Sequence, residues 1–320
     1  MDWYEPKFKS NETIENCNEC GVCYYICPQT EPLIKLLDEQ YSVKDKIGNI
    51  ENVIAAKTTQ EKIEEIGQDG GIVTTSLVYL FEKNLIDAAI VSLYDEELKP
   101  EPHIIFDKEE LFKAAGTRYS ISSQILPLKE LYNLSLEIQE EKGIYDIDQL
   151  RIAFVGTPCQ ARAIRKMQYL SIKPAHVIKY LFSLFCFENF DYYKLYEILE
   201  KETNVPAENI KKTTIKKNFF VYTKQDEKHE VNIKKLDPAV RNHCHSCDEF
   251  TGRYADISVG SSGAPKGYSM IITRTSIGQD IVNLLLSSNY ISQYIVPVNE
   301  RQEWKQKKMN LFNRMVKLKK

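Results

Sequence analysis

A chain of 320 residues with 43% hydrophobic and 27% charged positions is long enough for one large domain or two modest ones, which excludes a disordered or collagen-like polymer. Its 42 basic and 45 acidic side chains leave a formal charge of −3, too balanced for nucleic acid to be the main partner. No apolar run approaches the length of a membrane span, and Met1 to Ser10 has no apolar signal core, so the expectation is a cytoplasmic protein without a transmembrane segment.

Residues 1–35 form a cysteine-rich leader punctuated by Pro28 and Pro32, too small to own a core unless a metal or cluster supplies one. Over 36–299 the pattern becomes α with β. Val53 to Ala56 reads as a short strand, Thr59 to Ile66 as a polar helix, and Gly67-Gln68-Asp69-Gly70-Gly71 as a turn opening a helix that reaches Lys83. Ile86 to Leu93 predicts a buried strand, and His103 to Phe106 another that runs into a helix opened by Asp107, Glu109 and Glu110. Ile152 to Val155 leads into a helix over Cys159 to Met167. Val177 to Phe185 runs straight into Cys186, followed by a helix from Asp191 to Glu202. Ile210 to Leu236 alternates as an antiparallel ribbon turning near Gln225-Asp226. Ala255 to Gly260 and Ser269 to Thr275 read as strands around a glycine loop, before a helix from Gln279 and a last strand from Ile291 to Val298.

The segment 300–320 is the most basic part of the chain, with eight basic side chains and one acid from Arg301 to Lys320. Leu311, Phe312, Met315, Val316 and Leu318 give it an apolar helical stripe, which predicts a helix packed on the domain with a solvated lysine face; docking to a membrane complex or to nucleic acid is the alternative. The fold class expected is α+β (mixed α/β): a core of mixed sheets and helices, preceded by a ferredoxin-like cluster loop and followed by a basic helix.

Eight cysteines without a secretory signal predict reduced thiols in place of disulfides. Cys17-x2-Cys20-x2-Cys23-x3-Cys27-Pro28 has the spacing of a bacterial ferredoxin loop, in which successive thiolates close on one cubane and the proline turns the chain away. Structural zinc more often takes separated pairs. In two-cluster ferredoxins the last cysteine of such a run serves the other cluster, so spacing alone leaves the membership of Cys27 open. Cys159, Cys186, Cys244 and Cys247 are scattered. Each alone reads as a small buried hydrophobe, and the Cys244-x2-Cys247 pair as half a zinc knuckle or a redox pair, with His243 and His245 beside it as candidate zinc ligands or plain loop histidines.

Three loops have the composition of phosphate cradles: Gln68-Asp69-Gly70-Gly71, Gly116-Thr117-Arg118-Tyr119 and Gly260-Ser261-Ser262-Gly263. A plain turn or cap accounts for any one of them. No GxGxxG, Walker lysine loop, HExxH or GxSxG occurs, so neither ordinary dinucleotide binding nor serine hydrolysis is indicated.

Read in order, six motifs resemble the coenzyme F420 hydrogenase/dehydrogenase beta-subunit family over about residues 50–300. They are Gln68-Asp69-Gly70-Gly71, Ala114 through Tyr119, Thr157-Pro158-Cys159-Gln160 through Met167, Phe185 through Phe190, Cys244-x2-Cys247, and Ala255 through Gly260 with Ile272 through Thr275. The resemblance implies an iron–sulfur flavoprotein that binds FAD, exchanges hydride with coenzyme F420 and passes single electrons through clusters. It implies one [4Fe–4S] cluster on Cys159, Cys186, Cys244 and Cys247, which leaves Cys17, Cys20, Cys23 and Cys27 to hold another. FAD contacts are implied at Gln68, Asp69, Gly70, Gly71 and Thr74, at Gly116, Thr117, Arg118 and Tyr119, and at Thr157, Pro158, Gly260 and Ser261. Arg118 stands where lysine is usual, which keeps the charge and changes its geometry. One ferredoxin-like run precedes the core where some relatives have two. The implied partner is a redox subunit of hydrogenase, formate dehydrogenase, heterodisulfide reductase or F420H2 dehydrogenase type. No catalytic acid or base is expected, because the cofactors carry the hydride chemistry. Lys211, Lys212, Lys216 and Lys217 read either as a solvated strand face or as an attractor for the acidic tail of the deazaflavin. The rival functions are a ferredoxin-dependent flavin reductase of an organic substrate and a zinc-binding interaction protein.

Overall fold

The computed structural model describes residues 10–134 and 136–319; residues 1–9 of the expected leader and Lys320 of the expected terminal helix lie outside the described residues. Three short helices come first, α1 (Asn11–Glu15), α2 (Val22–Ile26) and α3 (Ile34–Gln40). The body follows as β1 (Asn52–Thr58), α4 (Glu61–Ile66), α5 (Ile72–Glu82), β2 (Ala88–Tyr94) and β3 (Pro100–Ile105), then α6 (Leu136–Lys142), β4 (Ile152–Gly156), α7 (Pro158–Tyr169), β5 (Ile178–Leu184) and α8 (Tyr192–Thr203). Strands β6 (Ile210–Ile215), β7 (Phe219–Thr223) and β8 (Lys228–Val231) make a separate antiparallel sheet. The chain closes with α9 (Asn242–His245), β9 (Ile257–Gly260), β10 (Ser269–Thr273), α10 (Ser276–Ser287), β11 (Ile291–Gln293) and α11 (Arg301–Leu318).

The main sheet has the order β11-β1-β10-β9-β5-β4-β2-β3. Its centre is parallel, since β2, β4, β5 and β9 pair in the same direction, and it is flanked by antiparallel strands on both sides. Alternation along the strands sorts side chains to two faces. Ile54, Ala56, Ala153 and Val155 join the core under α5 and α10, with Ile72, Leu77, Val282 and Leu285. Val53 and Ala55 face the other way onto Phe312 and Val316 of α11, while Ile152 and Phe154 pack against Ile164 and Met167 of α7. Each of the larger side chains, from valine to phenylalanine, contributes roughly 1.5–3 kcal/mol on burial. Both faces of the sheet are therefore covered, which a largely parallel sheet requires.

The structure departs from the sequence reading at a few element ends. The segment opened by Asp107 is a 3-10 helix over Lys108–Ala114, capped by the Asp107 carboxylate accepting from the Glu109 N–H, and extended backbone at Ala115 ends it. The ribbon stops at Val231 because the Asn232 side chain caps a 3-10 turn containing Pro238. The expected strand from Ile291 to Val298 pairs with β1 only over Ile291–Gln293. Beyond it Ile295 and Val298 are exposed, and Pro297 has no N–H to offer a ladder. In α11, Phe312 and Val316 are buried as the stripe requires, whereas Leu318 faces solvent. Among the described residues no helix is long and apolar enough to cross a membrane.

Candidate functional site

Two strand ends and helix α9, with the segment after it, deliver the scattered cysteines to one place. Parallel strands β4 and β5 end side by side, and their carboxyl ends continue directly into Thr157-Pro158-Cys159 and Phe185-Cys186. That edge is where open α/β sheets hold ligands. The Cys186 N–H donates to the Phe250 carbonyl, which ties the end of β5 to the loop after α9. Helix α9 carries Cys244 and is followed by Cys247. All four cysteines line a single pocket together with Thr157, Pro158, Asn189, Arg241, His243, Glu249 and Lys319.

The chemistry of this wall suits thiolate ligation to a cluster. Burial pushes the Cys159, Cys186 and Cys244 thiols up, so they ionise only where positive charge compensates them. Three of the sulfurs rest on carbonyl oxygens at long range: Cys186 on Glu188 at 3.6 Å, Cys247 on Glu249 at 3.7 Å and Cys244 on Asn189 at 3.8 Å. The Cys159 sulfur lies 3.1 Å from the Thr157 hydroxyl. Among the described residues no three His, Cys, Asp or Glu side chains are arranged to chelate one metal ion. A four-iron cage asks for something else, one thiolate at each of four corners, and a pocket walled by four cysteines fits that demand.

The leader quartet is built differently. Cys17, Cys20 and Cys23 are exposed and Cys27 is half-buried. Gly21, at φ +73°, opens the single-turn helix α2 that carries Cys23. The leader is held to the body by helix α7, the same helix that begins at the Cys159 pocket. The Lys166 ammonium donates to the carbonyls of Cys27 at 2.7 Å and Thr30 at 2.8 Å, and the Arg162 guanidinium donates to the Pro28 carbonyl at 2.9 Å. Arg162 also bonds the Glu249 carboxylate at 2.6 Å and Asp248 at 3.1 Å, and Arg253 bonds Glu249 at 2.7 Å. Burial alone would lower the Arg162 pKa, but Glu249 and Asp248 outweigh it and hold the guanidinium firmly charged. Burial and the neighbouring Arg162 push Lys166 down to about 8. Gln29, two residues beyond Cys27, lines the pocket of the other four cysteines, so the leader reaches the wall of that pocket.

The cradle-like loops meet on a neighbouring face. The Gln68 side chain accepts from the Thr117 N–H at 3.1 Å and donates to the Tyr119 hydroxyl at 3.1 Å, which also accepts from the Ile215 N–H at 2.9 Å. Asp69 hydrogen-bonds Ser261 and faces Lys212 and Lys216; burial raises its pKa against those three influences. Loops 67–71, 116–119 and 260–263 thus converge with strand β6. Gly70 is required by packing, since a Cβ there would meet the Ala56 oxygen and the Ser269 nitrogen at 2.5 Å each. Gly260 is required by the Phe185 ring, 2.3 Å from its would-be Cβ. Gly71, in the left-handed region, precedes α5, and no side chain caps the first turn of that helix, where Thr74 sits half-buried. Arg118 is committed locally: its terminal nitrogens donate to the carbonyls of Lys113, Ala114, Ala115 and Gly116, its plane lies over Tyr94, and its buried Nε has no partner. Thr157 and Pro158 wall the cysteine pocket.

Sequence reasoning missed Arg241, Glu249, Gln29 and Lys319 as parts of the pocket. Arg162 and Lys166 had a legible signal, because they follow Cys159 at helical spacings of three and seven and so share its face. Lys319 had none, being one lysine in a lysine-rich tail.

Comparison with known proteins agrees with this geometry. Residues 53–129 match the family model for the N-terminal part of the coenzyme F420 hydrogenase/dehydrogenase beta subunit, and residues 149–294 match the companion model for its C-terminal part. The coenzyme F420 hydrogenase subunit beta of Methanosarcina barkeri is 35% identical over 240 residues, covering 73% of this chain and 78% of that protein. The coenzyme F420-dependent sulfite reductase of Methanocaldococcus jannaschii is 32% identical over 316 residues, 87% of this chain but 47% of the longer enzyme. A chain of the F420-reducing [NiFe] hydrogenase complex from Methanosarcina barkeri superposes with a TM-score of 0.70 at 29% identity, covering 86% of this chain and 94% of that one.

Proposed function

The chain belongs to the coenzyme F420 hydrogenase/dehydrogenase beta-subunit family of oxidoreductases, and on that premise we propose that it transfers hydride between coenzyme F420 and a bound FAD and passes single electrons through two [4Fe–4S] clusters to or from a partner redox subunit. The observation that carries the reading is the convergence of Cys159, Cys186, Cys244 and Cys247 on one pocket, beside a face where three glycine- and hydroxyl-bearing loops meet.

In this reading the four core cysteines hold one cluster and Cys17, Cys20, Cys23 and Cys27 the other. FAD, when bound, is the step-down element, accepting electrons as a pair and releasing them singly. The residues of the chain bind and position. The uncapped first turn of α5, with Gln68 to Gly71 before it, offers N–H groups and a positive helix end to anionic phosphate oxygens. Gln68 fixes the 116–119 loop through two hydrogen bonds, so both loops move as one unit. Arg118 contributes positive field and the rigidity of four carbonyl contacts, and Lys212 and Lys216 extend that field around Asp69. No side chain is asked to move a proton.

Anaerobic purification followed by rapid mixing with reduced F420 tests the proposal. The expected result is stoichiometric FAD, iron and sulfide for two clusters, and bleaching of the flavin band before the clusters reduce. A flavin that does not bleach sinks the hydride reading, and a colourless protein containing zinc and no iron replaces it with a zinc-bearing interaction protein.

A further inference from the structure

We propose that Lys319, just beyond α11, is a positioning residue of the core cysteine pocket whose ammonium, held against the Cys247 sulfur, raises the potential at which the cluster bound there accepts an electron. The inference rests on the reading of that pocket as a [4Fe–4S] site.

The basic C-terminal segment reads from sequence as a solvated face, and most of α11 is that. Lys319 is the exception: it is 7% exposed. Its Nζ donates to the Cys186 carbonyl at 2.9 Å and to the Glu249 carbonyl, and lies 3.6 Å from the Cys247 sulfur. Three acceptors for three ammonium hydrogens is a complete set, and one of the three is a cysteine of the pocket. A buried ammonium is costly unless an anion offsets it. Among the described residues no carboxylate forms an ion pair with Lys319. Glu249 gives it a backbone carbonyl, while the Glu249 carboxylate is taken up by Arg162 and Arg253. The charge of Lys319 reaches the Glu188 carboxylate as well as the Cys159 and Cys186 thiols, but the anion its Nζ contacts is the Cys247 sulfur, once ionised. A buried ammonium outside any ion pair and in contact with a cysteine sulfur of the pocket suits a negatively charged cage.

The apolar stripe of α11 explains how the lysine is delivered. Phe312 is fully buried and stacks edge-to-face on Phe185 at 5.3 Å between ring centroids, and Phe185 is the residue before Cys186. Val316, one turn further, is buried in the same cluster. The helix is anchored at the end of β5, and its next turn carries Lys319 into the pocket.

The redox consequence follows from charge. When the cluster takes one electron, no bond forms or breaks and the cage gains one negative charge. A fixed ammonium stabilises the reduced form more than the oxidised one, and a hydrogen bond to a ligand sulfur acts in the same direction.

The test is a potentiometric titration of the anaerobic holoprotein followed by electron paramagnetic resonance, with the leader cluster as internal reference. In Lys319→Met, the reduced-to-oxidised ratio of the core cluster at the wild-type midpoint falls about tenfold, about 59 mV for a one-electron couple, while the leader cluster titrates unchanged. Lys319→Arg restores most of the difference. Loss of the core cluster in Lys319→Met but not in Lys319→Arg supports the same role. A core midpoint that does not move, both clusters shifting together, or loss of the core cluster from both variants overturns it. Wild-type protein with iron for one cluster, unchanged by Cys159→Ser, overturns the cage reading itself and this inference with it, and is distinguishable because no second signal exists to titrate.

Discussion

The two cysteine quartets are assembled in opposite ways. The leader quartet lies within eleven residues and is largely exposed, with no buried side chain in the two short helices around it. The core quartet is drawn from positions 159 to 247, and the sheet brings it together by ending β4 and β5 at one edge and tying Cys186 to the Phe250 loop. A contiguous motif carries its own geometry and needs a scaffold only to be held. A dispersed one has no geometry until the whole sheet is folded. The first should respond to changes at its tether, and the second to changes in the core.

The largest effect expected from this contrast is on the core side. Cys186→Ser removes one corner of the pocket, and iron and acid-labile sulfide per chain should fall to about half, because the leader quartet does not draw on it. Retention of the full iron content would contradict ligation by Cys186, and loss of nearly all of it would show that the two sites are not independent. Next comes the residue that serves both. Arg162→Met strips the Pro28 carbonyl of its donor and leaves Glu249 with Arg253 alone, so unfolding free energy should drop by about 3 kcal/mol in urea titrations. Smaller and more local is Lys166→Met, which removes two charged hydrogen bonds to the leader backbone, about 2 kcal/mol, from the leader's attachment. Limited proteolysis should then nick the chain between Cys27 and Ile47 while the sheet stays intact. Equal protease resistance in wild type and variant would contradict the tether.

The same contrast explains what could be read from the sequence. Short apolar runs such as Ile152 to Val155 gave their strands because burial on both faces leaves little else to be. The ferredoxin spacing was legible because its chemistry is local. The core pocket was legible only through resemblance, since nothing in the spacing of Cys159, Cys186 and Cys244 states that a parallel sheet will align the first two. Strand β11 ended early because pairing depends on the partner edge and on Pro297, which periodicity does not weigh. Arg118 shows the limit of composition. A loop with arginine suggests an anion, yet the guanidinium faces four carbonyls at the end of the 108–114 turn, contacts that no motif announces. Lys319 is the extreme case, its role set by where the Phe312 anchor stops the helix.

The smallest expected effect serves as a control on the comparison. Glu82 lies at the end of α5 away from the 67–71 loop, where its carboxylate accepts from the Tyr290 hydroxyl at 2.5 Å and from Lys108 at 2.9 Å. The Tyr290 hydrogen bond, then that from Lys108, holds its pKa below the ordinary 4.5. A carboxylate with a depressed folded pKa contributes stability that is whole above 4.5 and is lost as pH falls through the folded value. Glu82→Gln should therefore cost less than about 1 kcal/mol near neutral pH, the site being partly exposed and screened. The difference should close as pH falls well below 4.5, where wild type has lost the same charge. Reading wild type against variant at each pH cancels whatever the two quartets themselves contribute. Iron content should be identical in the two proteins, and a change in it would mean that the end of α5 is coupled to the cysteine pocket through the sheet.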